Sequence, residues 1–191
     1  DFNGDGRSDI FWYAPGPASD GLWTSTGSGF TGRPFSVSGN YRPFVGDFDG
    51  DGQSDIFLYA PGDAPDRIVT INGGSMSAVQ FDIDGVYQPI PGDFDGDGDT
   101  DIFWYGPGGY SDGLWLSDGD GRNFSGGSQS VGGNYTPLTG DYNGDGRSDI
   151  FWYAPGPASD GLWTSRGDRT FARSSRSING EYHPVGLNSA G

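Results

Sequence analysis

Apolar residues along this chain fall in short runs separated by polar turns, and the same run returns four times. DIFWY begins at Asp9, DIFLY at Asp55, DIFWY at Asp101 and DIFWY at Asp149, each strand-like in length and in its β-branched and aromatic content. A second run follows each after a Pro/Gly turn: GLWTS from Gly21, RIVTI from Arg67, GLWLS from Gly113 and GLWTS from Gly161. Next comes a Gly/Ser-rich loop and a weak polar strand, expected as FSVSG from Phe35 or VQFDI from Val79. A Tyr-x-Pro run then closes the unit, as YRPFVG from Tyr41, YQPIPG from Tyr87 and YTPLTG from Tyr135. No long stretch has helical periodicity, so the class is all-β.

The repeats begin at Asp1, Asp47, Asp93 and Asp141, with spacings of 46, 46 and 48 residues. Four short strands in about 45 residues match one propeller blade, and blades stacked radially bury faces that a lone sheet leaves wet. The expected organisation is one repeat domain over 1–191, with repeats 1–46, 47–92, 93–140 and 141–186 and a tail at 187–191. Asp1 starts without a Tyr-x-Pro strand before it, whereas YHPVG from Tyr182 supplies a surplus one at the other end. The expectation is therefore a β-propeller with four blades of four antiparallel strands, closed by the C-terminal strand. A larger ring from two chains and an open array are the alternatives.

Each repeat opens on D-x-[DN]-x-D-G-x-x-D, and this changes the reading from fold to chemistry. In a calcium loop the ligands sit on alternate residues as the chain wraps the ion, with Gly at the sixth place for the sharp turn. That logic assigns Asp1, Asn3, Asp5 and Asp9 with the Arg7 carbonyl in the first loop. It assigns Asp47, Asp49, Asp51 and Asp55 with the Gln53 carbonyl in the second, and Asp93, Asp95, Asp97 and Asp101 with the Asp99 carbonyl in the third. The fourth has Asp141, Asn143, Asp145 and Asp149 with the Arg147 carbonyl. An EF-hand is excluded, because Trp12, Leu58, Trp104 and Trp152 stand where its bidentate Glu belongs. The simpler reading, that the Asp-Gly pairs only make turns, does not explain one register kept in four copies.

Composition supports ligands over a merely solvated surface. The acidic residues are 25 Asp and one Glu, Glu181, giving a net charge of −16 against 10 Arg and no Lys. Fourteen of those Asp occupy ligand positions and repel one another unless neutralised. Four calcium ions, one per repeat, would halve the formal charge. Oxygen donors with no Cys and a single His, His183, select calcium over zinc or copper. The acidity argues against a nucleic-acid partner, and no apolar run is long enough for a membrane span. No leader is visible, and the calcium chemistry points outside the cell.

These loops and strands resemble the FG-GAP or VCBS family of propeller repeats, known from integrin α-subunit heads and many secreted bacterial and fungal proteins. The resemblance covers nearly the whole chain. It implies an extracellular, calcium-binding propeller serving adhesion, carbohydrate recognition or scaffolding. A count of four departs from the seven blades common in that family.

Three Trp pairs, Trp12 with Trp23, Trp104 with Trp115 and Trp152 with Trp163, are expected to meet across their hairpins, and Leu58 with Val69 replaces the pair in the second repeat. Inter-blade core is the first reading for them and a sugar-stacking platform the second. Arg166, Arg169, Arg173 and Arg176 read as a solvated edge, with an anionic glycan or a subunit contact as the alternative. Asn123-Phe-Ser and Asn134-Tyr-Thr match the N-glycosylation pattern. Lacking the usual nucleophile–base pairs, the chain reads as no enzyme. Two functions follow: a binding or scaffold module with glycans or another protein as partner, or a self-associating subunit of an extracellular filament or coat.

Overall fold

The structure is a computed structural model and describes residues 1–108 and 110–186. The tail expected at 187–191 lies outside the described residues. Those residues form fifteen strands in four antiparallel sheets with no helix among them, so none is long and apolar enough to cross a membrane. The first sheet contains β1 (Ile10–Trp12), β2 (Asp20–Ser25) and β3 (Phe30–Phe35). The second contains β4 (Arg42–Gly46), β5 (Asp55–Tyr59), β6 (Asp66–Asn72) and β7 (Ser75–Phe81). The third is built from β8 (Gln88–Gly92), β9 (Asp101–Tyr105), β10 (Asp112–Ser117) and β11 (Phe124–Gln129), and the fourth from β12 (Thr136–Gly140), β13 (Asp149–Tyr153), β14 (Asp160–Ser165) and β15 (Phe171–Arg176).

One register serves all four sheets. Ile10 lies opposite Trp23, Ile56 opposite Val69, Ile102 opposite Trp115 and Ile150 opposite Trp163. Each Tyr-x-Pro run joins the sheet of the repeat that follows it, so Gly46 pairs with Asp55 and the aspartate loop becomes the β4–β5 connection. The third strand departs from expectation. It starts directly after the hairpin turn, at Phe30 and Ser75, rather than at Phe35 and Val79. Beyond it the amides of Val37 and Ile83 turn to buried carboxylates instead of a strand partner, which ends the ladder.

Contacts cluster into two compact units, Asp1–Gly85 with Gly119–Arg122, and Val86–Asp118 with the residues from Asn123 on. In the first, Leu22 and Phe35 pack against Ile56, Leu58 and Val69. In the second, Phe94, Phe103 and Leu114 pack against Ile150, Trp152 and Trp163. The Trp152 ring meets Phe103 and Tyr105 edge-on, with centroids 5.5 and 5.1 Å apart. Leu58 and Val69 thus hold in one core the places that Trp152 and Trp163 hold in the other, a swap that keeps both filled with apolar volume.

The C-terminal strand expected to complete the first sheet is not formed. That sheet has three strands, and Tyr182–Gly186 adopts no strand conformation. Without a fourth strand beside it, β1 is three residues long where β5, β9 and β13 have five. Joining the two ends of the chain carries a loop-closure cost that the other Tyr-x-Pro runs, each close in sequence to its partner strand, do not meet.

Four aspartates outside the loops hold the other end of each sheet. Asp20, Asp66, Asp112 and Asp160 open the second strand of their sheets and are buried. Each binds two amides with its two oxygens: Ala14 and Val37, Ala60 and Ile83, Gly106 and Val131, Ala154 and Ile178. Each therefore ties the turn after the first strand to the segment after the third. Asp66→Ala leaves the Ala60 and Ile83 amides buried without an acceptor, and is expected to cost about 2–5 kcal/mol. Urea unfolding checks this: a midpoint unchanged from the parent chain would refute the latch.

Candidate functional site

The four aspartate loops share one construction. The first Asp of each turns its carboxylate back onto its own loop. Asp1 accepts from Gly4 and Gly6 at 2.8 and 2.6 Å, Asp93 from Gly96 and Gly98 at 2.6 and 3.0 Å, and Asp141 from Gly144 and Gly146 at 2.7 and 2.9 Å. Asp47 accepts from Asp51 and Gly52. Wrapping so tightly requires left-handed backbone at the fourth as well as the sixth position, with φ of 71° and 80° at Gly4 and Gly6 and 87° and 98° at Gly96 and Gly98.

The ninth position works differently. Asp9, Asp55, Asp101 and Asp149 each accept the amide of the loop's second residue with one oxygen, and with the other the amide of Ser25, Ile71, Ser117 or Ser165. Loop and second strand are thereby fastened to one side chain. Neighbouring loops are also joined: the Ser54 amide donates to the Asp1 carbonyl and the Ser148 amide to that of Asp93, both at 2.6 Å.

Three-carboxylate groups form in the two loops that have Asp at the third position. Carboxylate oxygens of Asp47, Asp49 and Asp55 lie within 4.8 Å of one another, as do those of Asp93, Asp95 and Asp101. The Asp49 Oδ1 atom is buried and has no hydrogen-bond partner, as a ligand atom awaiting a cation would be. The residues present therefore fit a hard divalent ion. Asp51 and Asp97 fall outside these groups, and each accepts the amide two residues on. In the first and fourth loops Asn3 and Asn143 stand at the third position, and Asp5 and Asp145 pair with the guanidinium groups of Arg7 and Arg147. The side chains of Arg7, Gln53 and Arg147, chosen for their carbonyls, are themselves part of the loops.

Burial raises several of these acids. It pushes Asp55 up to about 7 and Asp101 up to about 8, against the lowering effect of two amide bonds each. Asp49, Asp95 and Asp149 are raised for the same first reason. Exposed Asp141 is lowered, chiefly by the Gly146 amide.

The Trp pairs divide. All three meet edge-to-face at 5.4 Å, as expected. Trp104 and Trp152 are buried and Trp163 is 8% exposed, so core packing describes them, with Trp115 half-buried. Trp12 and Trp23 are 50% and 42% exposed, leaving them open to a stacking partner. Their sheet has no other sheet of its unit before it.

Between the third and fourth sheets lies a cleft of about 330 Å³, walled by Tyr135, Trp152, Trp163 and Arg173 with Asp160 and Ser174. The Trp152 indole N–H is buried there without a hydrogen-bond partner. The Arg173 guanidinium sits 3.7 Å above the Trp163 ring centre and donates to the Ser130 carbonyl. Arg169 reaches Ser125 of the third sheet. Arg169 and Arg173 are exposed, Arg173 on the edge strand β15, and each also reaches across to the neighbouring sheet. The matching cleft between the first and second sheets, about 280 Å³, is lined by Phe35, Val37, Leu58, Val69 and Met76 with Arg67.

Sequence reasoning missed the latch aspartates Asp20, Asp66, Asp112 and Asp160, although each lies 11 residues after the ninth loop position. It also missed the tyrosines. Tyr13, Tyr105 and Tyr153 donate to Gly39, Gly133 and Gly180 and accept from the amides of Tyr41, Tyr135 and Tyr182. The constant Tyr in DIFWY was the available signal.

The raised acids set a direction for pH. Between the unfolded value near 4 and the folded values near 7 and 8, the native metal-free chain binds more protons than the unfolded one, so these groups contribute stability at low pH that is lost as pH rises through 7 and 8. A cation that holds them ionised reverses the sign. In excess chelator the melting temperature is expected to fall from pH 5 to pH 8.5, and calcium to raise it most at the upper end. A melting curve at pH 8 indifferent to chelator and calcium alike contradicts this.

Comparison with known proteins agrees with the loop geometry. The FG-GAP-like repeat profile matches residues 1–58 and 93–152. No curated protein sequence matches the chain. Among solved structures, an Agrocybe aegerita lectin described for its specific recognition of non-reducing terminal N-acetylglucosamine is similar, with a TM-score of 0.73 and 20% identity. The likeness covers 93% of this chain and 50% of the lectin, so the chain spans about half the length of that structure. It supports a propeller-like, all-β repeat fold. With aspartate loops matched in all four repeats over more than half of its length, the chain belongs to the FG-GAP-like repeat family.

Proposed function

We propose that the chain is an extracellular, calcium-binding propeller module that recognises glycans rather than catalysing a reaction. The calcium reading is supported by hard oxygen donors, the grouped carboxylates of the second and third loops, and the partnerless Asp49 oxygen. Domain 1–191 then acts as one scaffold, with ions that neutralise the loops. Extracellular placement suits modules whose calcium sites work at roughly 10⁻⁴–10⁻³ M.

The observation that carries glycan recognition is the cleft between the third and fourth sheets. It joins an apolar wall at Trp152 and Trp163 to polar groups at Arg173 and Ser174, the mixture that amphipathic sugars require. The lectin neighbour makes terminal N-acetylglucosamine the first sugar to offer. The aliphatic cleft of the other unit, with Leu58 and Val69 for the two Trp, serves as an internal contrast. On a glycan array in calcium buffer the chain is expected to bind, and Arg173→Ala to weaken that binding about tenfold or more at unchanged fold. A flat array, or binding indifferent to Arg173→Ala, would overturn this reading.

Self-association into a filament or coat is the second reading. It is favoured by the exposed aromatic face of the first sheet, where Trp12, Trp23 and Phe30 line up. Sedimentation over a hundredfold concentration range is expected to show assembly that Trp12→Ser abolishes. One single-chain species throughout excludes it.

A further inference from the structure

We infer that the four loops form two classes of calcium site, tight in the second and third repeats and weak in the first and fourth, with the seventh loop residue setting the difference. The inference rests on the calcium reading above. All four loops have the same backbone wrap, so the contrast comes from side chains. Over their nine residues the loops carry formal charges of −2, −4, −5 and −2. In calcium loops the number of charged ligands is a main determinant of affinity.

The seventh residue is Arg7, Gln53, Asp99 and Arg147 in turn. Arg7 and Arg147 are not loose surface cations. Each guanidinium pairs with the fifth-position carboxylate, Asp145 at 2.5 Å in the fourth loop and Asp5 in the first. Each Nε also donates to the end of the second strand, at Ser25 and Ser165, which fixes the positive group beside the loop. Gln53 has the same placement without the charge: its Nε2 donates to Asp51 at 2.8 Å and its Oε1 accepts from the Gly73 amide. Asp99 adds a negative charge in that position. The third position varies in step, with Asn3 and Asn143 where a resident cation stands and Asp49 and Asp95 where none does. Among the described residues, three-carboxylate groups occur only in the second and third loops. A guanidinium thus takes the place of part of the ion's charge in two loops. Each pair of joined loops, first with second and third with fourth, holds one site of each class.

Calorimetric titration of the full chain with calcium alone tests this. Two ions are expected to bind in a first phase and two in a second, with dissociation constants separated by about tenfold or more. Arg147→Gln is expected to move one weak site toward the tight class, whereas Arg147→Lys, which keeps the charge, leaves it weak. Gln53→Arg is expected to move one tight site to the weak class. Four equivalent sites, or stoichiometries unmoved by Arg147→Gln and Gln53→Arg, overturn the two classes and leave the calcium reading standing. No calcium uptake by the parent chain overturns that reading, and the two classes with it.

Discussion

A carboxylate buried at the start of a strand, accepting two backbone amides, is the interaction on which every repeat depends. Asp55 and Asp101 have no exposed surface, and each fastens the aspartate loop to the end of the second strand. Burial favours the neutral acid, whereas ionisation strengthens both amide bonds and suits a cation, so the same atoms feel opposed demands. In Asp55 and Asp101 burial prevails in the protein alone. A cation held at these carboxylates would therefore be coupled to folding through the sheet and not only through the loop.

The near absence of Glu follows from the same geometry. One methylene separates an Asp carboxylate from the backbone, so it reaches amides two to five residues away in its own loop, as Asp1 and Asp141 do. At the other end of the sheets, Asp66 and Asp160 span two segments with the same short side chain. A longer acid would add torsional freedom and overshoot both partners. Much of the −16 charge is thus part of the framework.

The strands, their register and the loops were legible because four copies repeat the same periodicity and ligand pattern. The missing Tyr-x-Pro run before Asp1 was visible too, but the C-terminal run expected to replace it adds no strand to the first sheet. What could not be read was which partner a polar residue takes. The Arg147 side chain pairs with Asp145, and exposed Arg173 lies over the Trp163 ring. The Trp residues are alike in sequence, yet Trp152 is buried and Trp12 half exposed, because burial depends on whether another sheet stands in front. The latch aspartates had a fixed spacing, but spacing alone does not tell a ligand from an acceptor of buried amides.

Replacement of one Trp pair by Leu58 and Val69 gives the chain an optical asymmetry. The core between the first and second sheets contains no indole, whereas the core between the third and fourth contains Trp152 and Trp163. Within the first unit, indole emission comes from Trp12 and Trp23, both in contact with water. Blue-shifted tryptophan fluorescence therefore follows the packing of the second unit, and coupled ring pairs 5.4 Å apart add a near-ultraviolet dichroism of their own. Loss of order in the first core would leave the blue-shifted emission almost unchanged, so a single tryptophan fluorescence melting curve of this chain describes only part of it.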